Sequence, residues 1–143
     1  MRAIFETTIT GAPTAKGRPR FTRSGRVYTP KKTRDAENHL KFHLSCLVGG
    51  KKQYPLTGPI YEEVEFYIKR PKNLFRKIDP DGPIPHTKKP DLDNLIKLVK
   101  DAANKIIWSD DAIICDMRPK KYYCSKTGKP RTIIRVYQCY ENT

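Results

Sequence analysis

Acidic residues are scarce in this 143-residue chain, fifteen against 29 lysines and arginines, and it contains no long apolar run. The missing run excludes a membrane-spanning helix, which needs roughly 20 consecutive apolar residues. The opening MRAIFETTIT is interrupted by Glu6 and threonines and reads as a strand rather than a secretory leader, so a cytosol-like compartment is expected. Cysteine is sparse as well. Cys46, Cys115, Cys124 and Cys139 form no C-x-x-C pair, which argues against a zinc site. Reduced thiols are expected, with Cys46 on an apolar helix face, Cys115 and Cys139 in strands, and no disulfide required.

What remains is a basic globular chain. Hydrophobic residues make up 37% of it, enough for one modest core, and its length fits a single domain. A net charge of +14 points to a polyanionic partner, because neutralising phosphates releases counterions and dominates nucleic-acid affinity. Basicity alone does not separate nucleases from ribosome-associated proteins or membrane-surface binders.

Hydrophobic periodicity orders the elements. Residues 2–10 place Ala3, Phe5 and Ile9 opposite Glu6, Thr8 and Thr10, as in a half-buried strand. The loop GAPTAKGRPRFTRSGRVYTP interleaves Lys16, Arg18, Arg20, Arg23 and Arg26 with Phe21 and Tyr28. Its Gly and Pro breakers predict an irregular, mobile segment over about 11–30 that follows a phosphate backbone and stacks on bases. Thr29-Pro30 predicts a helix start with Thr29 as N-cap, Asp35 and Glu37 near the positive dipole end, and Ala36, Leu40, Leu44 and Leu47 on one face until Gly49-Gly50. His39 and His43 stand i, i+4, but no nearby acid or cysteine completes a metal site. Residues 59–69 predict a strand with Ile60, Val64, Phe66 and Ile68 inward and Tyr61, Glu63, Glu65, Tyr67 and Lys69 outward. A second mobile basic loop is expected over about 70–90, carrying Lys72, Arg76, Lys88 and Lys89. A helix over 91–106 follows, then strands over 112–123 and 131–140 joined as a hairpin by SKTGKP. The order β-α-β-α-β-β predicts an α+β domain, a mixed four-stranded sheet with two helices on one face.

The scarce acids are not evenly spread. Six aspartates fall in residues 91–116 against Lys97, Lys100 and Lys105, so that stretch is formally −3 and the rest of the chain +17. Four of the six form two pairs, Asp91/Asp93 and Asp110/Asp111. Crowded carboxylates repel one another unless a cation is held between them. Each pair also has a plain explanation: one acid caps a helix and favours its first turn, and Asp is common in turns. A 15-residue helix separates its two ends by about 22 Å. The pairs therefore share a cation only if IIWSDD runs back along the helix or a second protomer supplies the partner acids.

The residues KPDLDNLIKLVKDAANKIIWSDD, with GAPTAKGRPRFTRSGRVYTPKKTR upstream, resemble the RusA family of Holliday junction resolvases, common in phages. That resemblance implies a homodimeric, Mg2+-dependent endonuclease that binds four-way DNA junctions by shape and makes paired nicks. It takes no small-molecule substrate and needs no membrane. The family's catalytic carboxylates fall on Asp91, Asp93 and Asp111 and its lysine on Lys97, with Asp110 a helper at the metal. Lys16, Arg18, Arg20, Arg23, Arg26, Lys72, Arg76, Lys88 and Lys89 are the expected DNA contacts. Two rival readings remain open: a non-catalytic nucleic-acid-binding accessory protein, and a nuclease acting on flaps, forks or RNA.

Overall fold

The computed structural model describes residues 2–139. It is an α+β fold with two helices, a mixed five-stranded sheet and a separate two-stranded sheet. Two compact units are distinguished. The first comprises the described residues of Met1–Pro13 and Ile114–Thr143 together with Gly58–Leu92, and the second comprises Thr14–Thr57 and Asp93–Ile113.

The first unit is the large sheet. Its strands are β1 (Phe5–Thr10), β4 (Ile60–Ile68), β5 (Ile84–Pro85), β6 (Ile114–Tyr123) and β7 (Arg131–Gln138), in the order β1-β7-β4-β6-β5. β1 alternates as its sequence does, with Phe5 buried and Glu6, Thr8 and Thr10 exposed. Central β4 buries Ile60, Val64 and Phe66 on one face, and Glu62 goes with them, fully buried. On the opposite face Tyr61 stacks on Tyr137 and Tyr67 on Tyr122, while Arg135 joins Glu65 at 2.6 Å. Cross-strand pairs of this kind are what lock a sheet's register.

The expected hairpin between the last two strands does not form. β4 lies between them, antiparallel to β7 and parallel to β6. The loop after β6 therefore crosses the end of β4, where Cys124 N–H donates to the Ile68 carbonyl at 2.8 Å. That step spans two strand spacings, about 10 Å, which a two-residue turn cannot bridge. A parallel β4–β6 pair needs a long connection, and here it runs through residues 69–113. Cys139 follows β7 rather than lying within it, and its Sγ is 3.0 Å from that of Cys115. The hydrogen bond shared with Cys115, then burial, pushes the Cys139 thiol up to about 11. Residue 140, the expected end of this strand, lies outside the described residues.

The second unit holds the first helix, the small sheet and all of the second helix after its first residue. α1 (Lys31–Val48) buries Thr33, Leu40, Leu44 and Val48. Leu40 and Leu44 are buried as expected, but Leu47 is 40% exposed and Cys46 is exposed, so the stripe ends on Val48 instead. Pro30, not Thr29, occupies the N-cap position, and no side chain caps the helix. Residues 11–30 are not irregular throughout: β2 (Arg20–Phe21) pairs with β3 (Val27–Tyr28), and Thr22 accepts from Arg26 and Gly25 to turn the chain. α2 (Leu92–Ala103) is shorter than expected and buries Leu95, Ile96, Leu98, Val99, Ala102 and Ala103. Lys105 follows with φ 68, a left-handed conformation that glycine usually fills at a helix end. Trp108 and Ile107 are fully buried, and Leu56 fastens this turn, donating to Ile107 and accepting from Ser109, each at 2.8 Å.

Candidate functional site

α2 positions two of the expected residues. Asp93 lies in its first turn and Lys97 one turn later, a spacing that puts both on one face, and both are exposed. Among the described residues neither side chain has an ion-pair or hydrogen-bond partner, and neither does exposed Asp91, just before the helix. Asp91 is thus not occupied in capping α2, the plain explanation for an acid there. Lys97 is not held by Asp101 either, because Asp101 is taken: Lys16 Nζ lies 2.9 Å from its carboxylate and 2.7 Å from that of Glu37. Burial alone would lower the pKa of Lys16, but the hydrogen bonds and charges of Glu37 and Asp101 outweigh it and leave the pKa raised.

Lys16 also anchors the basic hairpin at the start of α2. Its backbone N–H donates to the Asn94 carbonyl at 2.9 Å, beside Asp93. Gly17 N–H then donates to Thr33 Oγ1 at 3.0 Å, and a Cβ on Gly17 would meet that oxygen at 2.7 Å. From this anchor the chain leads into Arg18, Arg20, Arg23 and Arg26, all exposed, with exposed Phe21 among them and exposed Tyr28 after them. Of the expected DNA contacts in this unit, Lys16 is therefore engaged by protein carboxylates and the four arginines face solvent.

The second aspartate pair sits on the turn after α2. Buried Trp108 donates Nε1–H to Asp111 Oδ1 at 2.7 Å, fixing that carboxylate while leaving its second oxygen unengaged. Asp110 accepts from Ala112 N–H at 3.3 Å through its carboxylate and from Ile113 N–H at 3.1 Å through its carbonyl, so it closes the 3-10 turn Asp111–Ile113. The two neighbours thus differ: Asp110 shapes the turn and Asp111 is presented by it. In the sequence the only sign of this contact is the tryptophan three residues ahead of Asp111. Among the described residues no group of three or more His, Cys, Asp or Glu side chains gathers as a metal cage. His39 and His43 belong to no such group.

In the first unit, the loop after β4 is built around buried Arg70. Its guanidinium donates to the carbonyls of Leu74, Pro80 and Gly82 at 2.7, 2.6 and 3.3 Å. Arg76 is paired with Asp79 at 3.1 Å, whereas Lys72, Lys88 and Lys89 are exposed. Buried His86 has its pKa lowered by burial first, then by the charges of Lys121 and Lys88.

With this arrangement in view, the sequence pattern of the family described as endodeoxyribonuclease RusA matches residues 10–137. The chain belongs to the RusA endodeoxyribonuclease family. The match spans the end of β1, the basic hairpin, both helices and nearly all of β7, so every candidate residue lies inside it. The chain is also similar to an uncharacterized protein, YqaN, of Bacillus subtilis (strain 168), with 32% identity over 138 residues, covering 90% of this chain and 92% of that protein. As a RusA-family protein it is a nuclease for DNA by descent, and no helix among its described residues is long and apolar enough to cross a membrane.

Proposed function

We propose that this RusA-family protein resolves four-way DNA junctions by Mg2+-dependent hydrolysis, as a homodimer whose two sites make paired nicks and leave 5′-phosphate and 3′-hydroxyl ends. One contrast supports the reading most directly. Glu37 and Asp101 are both paired with Lys16, whereas Asp91, Asp93 and Lys97 are exposed and engage no protein group among the described residues. One carboxylate is enough for a helix start, two close together repel each other, and carboxylate oxygens are the donors Mg2+ takes. Such ions are commonly held by one or two carboxylates plus substrate phosphates, so the absence of a three-residue cage among the described residues does not count against the reading.

The roles then follow from the side chains. Asp91, Asp93 and Asp111 offer oxygens to one or two Mg2+ ions, and Asp110 holds the turn from which Asp111 projects. Bound there, Mg2+ lowers the pKa of an attacking water and offsets charge on the scissile phosphate. Trp108 keeps Asp111 in one orientation, so no rotamer search accompanies each turnover. Lys97 lends its ammonium to the phosphate or the leaving oxygen. Arg18, Arg20, Arg23 and Arg26, with Lys72, Lys88 and Lys89, neutralise the phosphates of the arms, and Phe21 and Tyr28 stack on exposed bases.

Incubating the protein with four-way junction, fork, flap, duplex, single-stranded and RNA substrates, with Mg2+ or with EDTA, tests this. Symmetric nicks in the junction with Mg2+ and none with EDTA are expected. Cleavage confined to forks, flaps or RNA, or binding without cleavage, refutes junction resolution.

A further inference from the structure

The segment leading into Asp91, IPHTKKP over residues 84–90, is poorly equipped to secure itself. Pro85 and Pro90 lack a backbone N–H, so few ladder hydrogen bonds are available to it. Strand β6 supplies the missing attachments. Ile84 and Pro85 pair with Tyr123 and Tyr122, and the His86 ring meets the Tyr123 ring edge-on with centroids 4.5 Å apart. Beyond that point one residue provides every hydrogen bond from β6. Lys121 accepts from His86 N–H at 3.1 Å through its carbonyl, and its Nζ donates to the carbonyls of Lys88 at 2.7 Å and Pro90 at 2.8 Å.

This is an unusual use of a lysine. Its ammonium has no acidic partner among the described residues, and after burial its charge is the next cause that lowers the pKa of His86. Charge pairing therefore does not explain its position, whereas the two carbonyls do. The residue immediately after the second carbonyl is Asp91.

We propose that Lys121 is a positioning residue for the reaction: by binding the Lys88 and Pro90 carbonyls to β6, it fixes the backbone from which the Asp91 carboxylate projects. The inference rests on the metal-binding role of Asp91 given above. Lys121 touches neither substrate nor metal in this scheme. Its effect is to keep one ligand in register, and groups that orient metal ligands commonly change metal affinity or activity by about 10–100-fold when removed.

The test compares Lys121→Met, which keeps length and loses the donors, with Lys121→Arg, which restores charge and donors. Lys120→Met serves as the control, since Lys120 is exposed on the other face of β6. Three quantities are measured: junction cleavage at saturating protein across a Mg2+ titration, junction affinity, and hydrogen–deuterium exchange of residues 86–93. Lys121→Met is expected to lower kcat by about tenfold or more and to raise the half-saturating Mg2+ concentration. Its junction affinity should stay within about threefold of wild type, because no phosphate-binding group is removed. Exchange over 86–93 should rise in Lys121→Met alone, and Lys121→Arg should recover most of the activity. If Lys121→Met does not fold, Lys121→Leu, which likewise lacks the donors, takes its place in the comparison. A folded variant with wild-type exchange over 86–93 and wild-type Mg2+ dependence overturns the proposal. A wild-type protein that cleaves no junction refutes junction resolution instead, and exchange over 86–93 then decides the clamp by itself.

Discussion

Replacing Trp108 with phenylalanine separates two roles of one buried ring, packing and the orientation of Asp111. Trp108 is fully buried and its indole N–H reaches Asp111 Oδ1 at 2.7 Å. A hydrogen bond to a charged group contributes about 1.5–3 kcal/mol net, and partial exposure of Asp111 places this one toward the lower end. The smaller ring removes further buried apolar surface, worth about 1–2 kcal/mol at roughly 0.8 kcal/mol per buried methylene equivalent. The sum, about 3 kcal/mol, is a large part of a total stability of about 5–15 kcal/mol but leaves the chain folded. Urea unfolding should show a lower midpoint with an unchanged slope. In the same variant, junction cleavage at saturating protein should fall by about tenfold while binding is retained, since a freed carboxylate samples rotamers. Asp111→Asn makes the opposite change: the amide oxygen still accepts from the indole, so stability should hold within about 1 kcal/mol while cleavage is lost. A Trp108→Phe protein that loses the expected stability yet cleaves at the wild-type rate would show that the indole does not orient Asp111 for catalysis.

Further outcomes follow from other parts of the molecule. Lys105 has φ 68, a conformation costing a non-glycine residue roughly 1–2 kcal/mol. Lys105→Gly should therefore stabilise the protein by about 0.5–1 kcal/mol after glycine's greater unfolded-state entropy is counted, as read by urea midpoint. Burial, then the hydrogen bond to Glu63, pushes the Tyr61 phenol up from 10.0 to about 12. Its stabilising contribution is complete below pH 10 and lost as pH rises toward 12, so ultraviolet titration of the folded protein should reveal a late tyrosine that Tyr61→Phe removes. Alanine at Arg18 or Arg20 should reduce the slope of log affinity against log salt by about 1 for each phosphate no longer neutralised, with cleavage at saturating protein little changed.

Sequence patterning revealed the local features of this fold and missed those set by distant partners. Period-2 alternation identified β1 and β4 because each has one apolar and one polar face. It passed over Glu62, an acid on the buried face of β4. The hairpin of Arg20–Phe21 and Val27–Tyr28 was hidden because two-residue strands carry no period. The β6–β7 hairpin was inferred from neighbouring positions and a Gly-Pro turn, whereas insertion of β4 between them depends on pairing more than 50 residues away in sequence. At the candidate site, the D-L-D-N-L-I-K run and the D-D pair were visible in the sequence. The indole bond to Asp111, the pairing of Asp101 with Lys16 and the grip of Lys121 on Lys88 and Pro90 were not, because each needs side chains that only the folded chain brings together.

Single-turnover cleavage of a four-way junction by Asp93→Asn and Lys97→Ala, measured beside junction binding and thermal unfolding, bears most directly on whether these exposed residues carry the chemistry. Both variants should fold and bind the junction, Asp93→Asn at least as tightly as wild type because a negative charge facing phosphate is gone, and neither should cleave. Wild-type cleavage by either folded variant, or loss of junction binding in Asp93→Asn, would contradict the assignment.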